Sequence, residues 1–151
     1  MYKSILRFLN IILAAVLAGI SLGIWLGFNP ANLSPATYVE QQQNMLGSLN
    51  VLMISLVILA TIITLLSAWL QKSDKSVFIT LLIAAAFFIS CIIISRFGNQ
   101  PLNNIIMTWT SSTLPENWPE IRDQWWSFHI MRTIAELVAL VLVSWTSIKK
   151  D

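Results

Sequence analysis

Charged side chains are scarce in this 151-residue chain, because only 11% of its residues are Asp, Glu, Lys or Arg while 56% are hydrophobic. Soluble domains carry about a quarter charged residues. The deficit argues against an ordinary water-soluble domain and indicates a protein whose solvent is the lipid bilayer. The formal net charge of +2 and the lack of a basic block give no support for nucleic-acid binding.

Metal-ligating side chains are equally rare. The chain has one cysteine, Cys91, and one histidine, His129. A zinc site held by protein side chains needs three or four ligands, so we predict no metal site. A single cysteine also rules out a disulfide within the chain.

Long apolar runs are what the chain does have. Four of them approach the roughly 20 residues that cross the hydrocarbon core, and each must be helical because lipid cannot satisfy backbone polar groups. The sequence predicts an all-α, four-transmembrane-helix bundle that forms a single integral membrane domain over residues 1–151. We expect helices over about 5–28, 46–70, 77–95 and 119–148.

The lysines predict the orientation of this bundle. Lys3, Lys72, Lys75, Lys149 and Lys150 lie at the two termini or in the turn between helices two and three. A four-span bundle places these three regions on one side, which the positive-inside rule makes cytoplasmic. Both termini are therefore expected in the cytoplasm, with the protein in a bacterial inner membrane. The first apolar run exceeds the ~7–15 residues of a signal-peptide core, so we expect it to be retained.

Two longer connections are expected on the outer side. Ser34 and Pro35 have the pattern of a helix N-cap and first turn, so helix two should extend outward from residue 35. After helix three, the sequence indicates a turn and then a short interfacial helix over about 101–109. Its apolar residues are expected to face the bilayer: Ile105, Ile106 and Trp109.

One face of helix four carries an unusual group of polar side chains. At 100° per residue, Trp125, His129, Arg132 and Glu136 fall within about 60° of each other. Glu136 lies roughly 16 Å below Trp125, near the middle of the bilayer, where an isolated charge costs a few kcal/mol. This face should therefore line the bundle interior. The alternatives are a structural ion pair and interfacial tryptophan anchors, the role we assign to Trp126.

Further polar residues lie at a comparable depth or in the loop after helix three. These candidates for the same pocket are Asn50, Arg96, Asn99 and Asn103. Each could instead be a solvated loop residue or a helix cap.

Three segments suggest a family. The strings NPANLSPATYVEQQQNM, FGNQPLNNIIMTW and ENWPEIRDQWWSFHIMR together resemble the anthrone-oxygenase-like family of small four-helix membrane proteins. The family pattern of asparagines, proline, two tryptophans and a His-x-x-Arg falls on Asn99, Pro101, Asn103, Trp109, Trp125, His129 and Arg132. Glu136 lies outside that pattern.

The resemblance implies oxygenation of an activated aromatic molecule, such as an anthrone, with no metal or flavin cofactor. Trp125 would stack on the substrate and His129 would act as general base. Arg132, with Asn103 or Asn50, would stabilise the resulting enolate.

Two other functions are compatible with the sequence. The chain could be a non-catalytic subunit of a larger membrane complex or homo-oligomer, or a small-ligand binder. Small residues at four-residue spacing on helix one (Ala15, Gly19, Gly23 and Gly27) are a candidate docking face, although packing within the bundle is the favoured use. A transporter is disfavoured because the chain has no internal repeat.

Overall fold

The computed structural model describes residues 2–110 and 112–148, and this part of the chain is helical with no strand. It confirms the predicted all-α fold, and four of its helical segments are long and apolar enough to cross a membrane. Lys149 and Lys150 lie outside the described residues. The helices are α1 (Tyr2–Gly27), α2 (Pro35–Leu70), α3 (Lys75–Ile94), α4 (Gln100–Ile106) and α5 (Trp118–Ile148).

The long helices form a ring in which α1 and α3 each pack between α2 and α5. Arg7 near the start of α1 donates from Nε to Oε1 of Gln71 at the end of α2, at 2.6 Å. The chain start and the α2–α3 turn therefore meet at one end of the bundle. We call the opposite end, which carries residues 28–34, 107–110 and 112–117, the loop end.

The predicted cap of α2 is present. The Ser34 hydroxyl accepts a hydrogen bond from the Thr37 N–H at 3.3 Å, and Pro35 occupies the first helical position. With 36 residues, α2 is about 54 Å long. This exceeds the ~30 Å hydrocarbon core, so α2 projects beyond the lipid, as the cap signal indicated.

The segment after α3 differs from the predicted turn. Residues Ser95–Asn99 form a π-helical turn that joins α3 directly to α4. The physical reason is Pro101, which has no N–H to donate and whose ring would clash with a carbonyl one turn back in an α-helix. The wider π-turn relieves this clash, and the Gln100 N–H donates to the Ser95 carbonyl.

Two residues of the short helical region are buried, whereas the sequence suggested that they face the bilayer. Ile106 and Trp109 belong to an aromatic-rich core at the loop end, together with Tyr38 and Trp125. Gln43 of α2 fixes this position, because its Nε2 donates to the carbonyls of Ile106 at 2.9 Å and Trp109 at 2.8 Å. Satisfying the free carbonyls at the end of α4 thus draws that end into the bundle.

The sequence favoured packing of the small-residue face of α1 inside the bundle, but the structure places this face on the outside. Ala15, Gly19, Gly23 and Gly27 are exposed. A methyl group added at any of the three glycines would meet nothing within 4 Å. The buried face of α1 instead carries Ala14, Leu17, Ala18 and Ser21.

Candidate functional site

A cavity of about 50 Å³ lies between α2 and α5 in the half of the bundle nearer the loop end. Its α2 wall is mainly apolar, whereas α5 and the π-turn supply most of its polar groups. Seven of the eight residues proposed from the sequence line it: Asn50, Asn99, Asn103, Trp125, His129, Arg132 and Glu136.

The polar face of α5 points into the bundle, as predicted from its periodicity and from the cost of charge in lipid. His129 is 0% exposed and Glu136 is 1% exposed, and Trp125 is also buried. Buried charges need paired or hydrogen-bonded partners. The neighbours of these side chains therefore determine what the site can do.

The His129 imidazole packs against two indoles of α5. Its centroid is 5.4 Å from the Trp125 ring at an interplanar angle of 5°, and 5.3 Å from the Trp126 ring at 21°. Trp126 therefore helps to hold the histidine, in addition to any anchoring at the membrane surface.

The hydrogen bonds of His129 assign its tautomer. Nε2 lies 3.2 Å from the Ser21 carbonyl oxygen of α1, and Nδ1 lies 3.3 Å from Nη2 of Arg132. A carbonyl only accepts and a guanidinium only donates. The proton of the neutral ring is thus on Nε2, and the Nδ1 lone pair accepts from Arg132.

Arg132 contacts three other side chains of the site. Besides His129, its Nη1 donates to Oγ of Ser95 in the π-turn at 3.3 Å. Its Nε lies 3.6 Å from Oε1 of Glu136, one turn further along α5. Arg132 Nε and the other carboxylate oxygen of Glu136 both lack a hydrogen-bond partner within the described residues. The two charges therefore balance, while one donor and one acceptor remain free to bind a ligand.

The two asparagines after α3 hold Trp125. Asn99 Nδ2 donates to the Trp125 carbonyl at 3.1 Å, and Asn103 Oδ1 accepts from the Trp125 indole N–H at 2.7 Å. The Oδ1 of Asn99 is buried and finds no partner in the described part of the chain. Both asparagines line the cavity and also position its aromatic wall.

Arg96 is the one proposed residue that does not line this cavity. It is exposed and lies instead on an adjoining groove between α2 and α3. Sequence reasoning missed Ser21, Ser95 and Gln100. Ser21 contributes through its backbone carbonyl, which no side-chain pattern reveals, and the other two depend on the π-turn.

The chemistry of the site is that of a polar wall with hydrogen-bond donors and one carboxylate. No group of three or more His, Cys, Asp or Glu side chains that could hold a metal ion occurs within residues 2–110 and 112–148. The Arg132 guanidinium can bind an oxyanion, and His129 Nδ1 can take up a proton if Arg132 moves away from it.

Comparison with known proteins identifies the family. A family model described as anthrone oxygenase matches residues 43–142, a stretch that includes every polar side chain lining the cavity. No curated protein and no solved structure matches the chain. Because the model covers well over half of the sequence, this four-helix membrane protein belongs to the anthrone oxygenase family.

Proposed function

We propose that the protein binds a lipophilic aromatic molecule bearing an oxygen substituent and oxygenates it with O₂, without a cofactor. The observation that carries this proposal is the position of Arg132. Its guanidinium joins His129, Ser95 and Glu136 at the polar wall of a cavity whose α2 side is largely apolar. Such a site combines a proton acceptor, an oxyanion donor and an apolar surface.

The reaction is written for anthrone, the substrate class that the family name indicates. His129 Nδ1 removes a proton from the CH2 carbon of the central ring, which lies opposite the carbonyl. The electron pair left on this carbon moves onto the carbonyl oxygen. Arg132 shifts from Nδ1 to this enolate oxygen, with the amides of Asn50 and Asn103 as further donors on the cavity wall.

Dioxygen then reacts at the deprotonated carbon. The enolate supplies two electrons in single steps, a carbon–oxygen bond forms, and the peroxide takes the proton held by His129. Loss of the remaining hydrogen on that carbon, together with the outer peroxide oxygen as water, gives the second carbonyl. One anthrone and one O₂ thus become one anthraquinone and one water.

Ligand binding without turnover is a second candidate. Both ring nitrogens of His129 are already engaged, by the Ser21 carbonyl and by Arg132. If Arg132 does not leave Nδ1 when the ligand binds, His129 cannot act as the base. The site would then hold an oxygen-bearing aromatic molecule and do no chemistry on it.

The test is turnover of anthrone by purified protein in lipid nanodiscs, followed by anthraquinone absorbance and O₂ consumption above the spontaneous rate. His129→Gln is expected to lower the rate at least 100-fold, since a positioned general base contributes about 10²–10⁴-fold. Thr146→Val is the matched control, because Thr146 is a buried residue of α5 whose hydroxyl donates only to the Val143 carbonyl.

An unchanged rate in His129→Gln contradicts the base assignment. Binding of anthraquinone by wild type with no turnover favours the second candidate.

We also propose that the loop end faces outward and that both termini are cytoplasmic in a bacterial inner membrane. Lys3, Lys72 and Lys75 support this, because they lie at the end of the bundle opposite the cavity. A C-terminal green fluorescent protein fusion should fluoresce and a C-terminal alkaline phosphatase fusion should be inactive. The reverse pair of results would place the cavity on the cytoplasmic side.

A further inference from the structure

A second hollow adjoins the polar cavity. It is a groove of about 170 Å³ between α2 and α3, which we call the α2–α3 groove. Its lining residues are Ile54, Val57, Ile58, Ile92, Ser95, Arg96 and Gln100. Four of these seven, namely Ile54, Val57, Ser95 and Gln100, also line the polar cavity. The two hollows therefore share a wall.

The groove lies at a depth where the surroundings are lipid. Ile58 is roughly 18 Å along α2 from the helix end at Leu70, which is well inside the ~30 Å hydrocarbon core. Ile54 and Ile58 are both partly exposed on this apolar helix. A molecule dissolved in the bilayer can thus reach the groove sideways, without passing through water.

The composition of the groove fits a molecule with an apolar body and a polar edge. Ile54, Val57, Ile58 and Ile92 form apolar walls. Ser95, Arg96 and Gln100 supply the polar groups, and all three come from the π-turn or the residue that follows it. The Ser95 hydroxyl already accepts from Arg132 of the polar cavity.

Size separates the roles of the two hollows. A cavity needs about 10–15 Å³ to hold a water molecule, so the polar cavity at about 50 Å³ holds a few waters and no polycyclic ring system. Drug-sized ligands occupy about 300–1,000 Å³. The groove, at about 170 Å³, is more than three times larger than the polar cavity but still below that range. A ring system held there would therefore keep part of its surface in contact with the lipid.

We infer that the α2–α3 groove is where the aromatic substrate enters from the bilayer and where an outer ring is held, with its central ring directed through the shared wall to Arg132 and His129. This inference rests on the proposed function for the identity of the ligand. Ser95 and Gln100 are the polar side chains of the shared wall, and they must move aside for the central ring to pass. Arg96 is then a groove residue that attracts the oxygen substituent before it reaches the polar cavity.

The first experiment blocks the groove. Ile58→Trp fills it from α2, and Leu59→Trp is the matched control, because Leu59 is the adjacent residue, has similar exposure (47% against 43%), and does not line the groove. With anthrone in nanodiscs, Ile58→Trp should raise KM at least tenfold with kcat nearly unchanged, and Leu59→Trp should match wild type. Equal KM values for the two variants, in protein that turns over anthrone, overturn the groove assignment and leave the proposed function standing.

The second experiment does not depend on turnover. Benzophenone, a photoreactive aromatic ketone, is irradiated with the protein in phosphatidylcholine nanodiscs, and the adducts are mapped by mass spectrometry. Adducts on the peptides carrying Ile54, Ile58 and Ile92 that anthraquinone displaces, and that Ile58→Trp abolishes, support the inference even if no variant oxidises anthrone. Adducts spread evenly over all lipid-facing helices overturn it. Adducts displaced by oleic acid but not by anthraquinone also overturn it, since the groove would then be a site for a lipid chain.

Discussion

Replacing Arg132 by methionine should destabilise the protein strongly, because it leaves Glu136 as an unpaired charge inside the bundle. Arg132 Nε and Glu136 Oε1 are 3.6 Å apart, and their side chains are 15% and 1% exposed. At this separation, and with an effective dielectric constant near 20, the attraction is about 4–5 kcal/mol. Breaking a buried pair from one side costs about 3–5 kcal/mol, which is the loss in unfolding free energy that we expect for Arg132→Met.

The double mutant isolates the pair. Glu136→Gln should cost less, about 1–3 kcal/mol, because Arg132 keeps its bonds to Ser95 and His129. The double mutant Arg132→Met, Glu136→Gln should lose about 1–3 kcal/mol less unfolding free energy than the sum of the losses in the two single mutants.

The assay is reversible unfolding in mixed micelles by added dodecyl sulfate, followed by circular dichroism. The control is Asp123→Asn, which breaks the Arg122–Asp123 pair from its exposed side. Asp123 is 63% exposed, whereas Arg122 is 13% exposed and also stacks on Trp118, so this change should cost about 0–1 kcal/mol. Strictly additive single effects, or a loss under 1 kcal/mol in Arg132→Met, would refute the buried-pair reasoning.

Two further predictions concern the helices around the π-turn. Trp125→Phe keeps a ring beside the imidazole but leaves the buried Asn103 Oδ1 without its indole donor. It should therefore lower the unfolding free energy by about 1–3 kcal/mol in the same assay. An unchanged unfolding free energy would mean that Asn103 finds another donor. Gly98→Ala would bring the new Cβ within 2.8 Å of the Phe128 ring, and overpacking of this kind costs about 1–3 kcal/mol. Gly47→Ala is its matched control, because nothing lies within 4 Å of the added methyl group, and it should be neutral or stabilise by up to about 1 kcal/mol. Equal effects of the two glycine changes would contradict the close approach of the π-turn and α5.

The features that could be predicted from the sequence are those that the bilayer imposes. Apolar runs of about 20 residues have one structural solution in lipid, so four helices follow from composition alone. The inward direction of Trp125, His129 and Glu136 follows from helical period and from the cost of an unpaired charge in hydrocarbon. Both arguments are local in sequence and need no knowledge of neighbouring helices.

The features that could not be predicted depend on contacts between distant parts of the chain. Ile106 is as apolar as a lipid-facing residue, and only the Gln43 side chain, 63 positions earlier, shows why it lies in the core. Trp126 has the position of an interfacial anchor, but its stacking on His129 depends on how α5 packs. Ser21 acts through a carbonyl that every residue has.

The π-turn has a consequence for comparing members of this family. Five residues, Ser95–Asn99, form this turn, and a π-turn contains about one residue more than an α-turn. The wider turn therefore takes up one extra residue within a single turn of helix. Deleting one residue between Ile94 and Gln100 would convert it into an α-turn and leave α4 in the same rotational position, so Asn103 would still face the Trp125 indole. A relative with a one-residue gap here, and without a proline at the position of Pro101, can thus keep the same cavity wall.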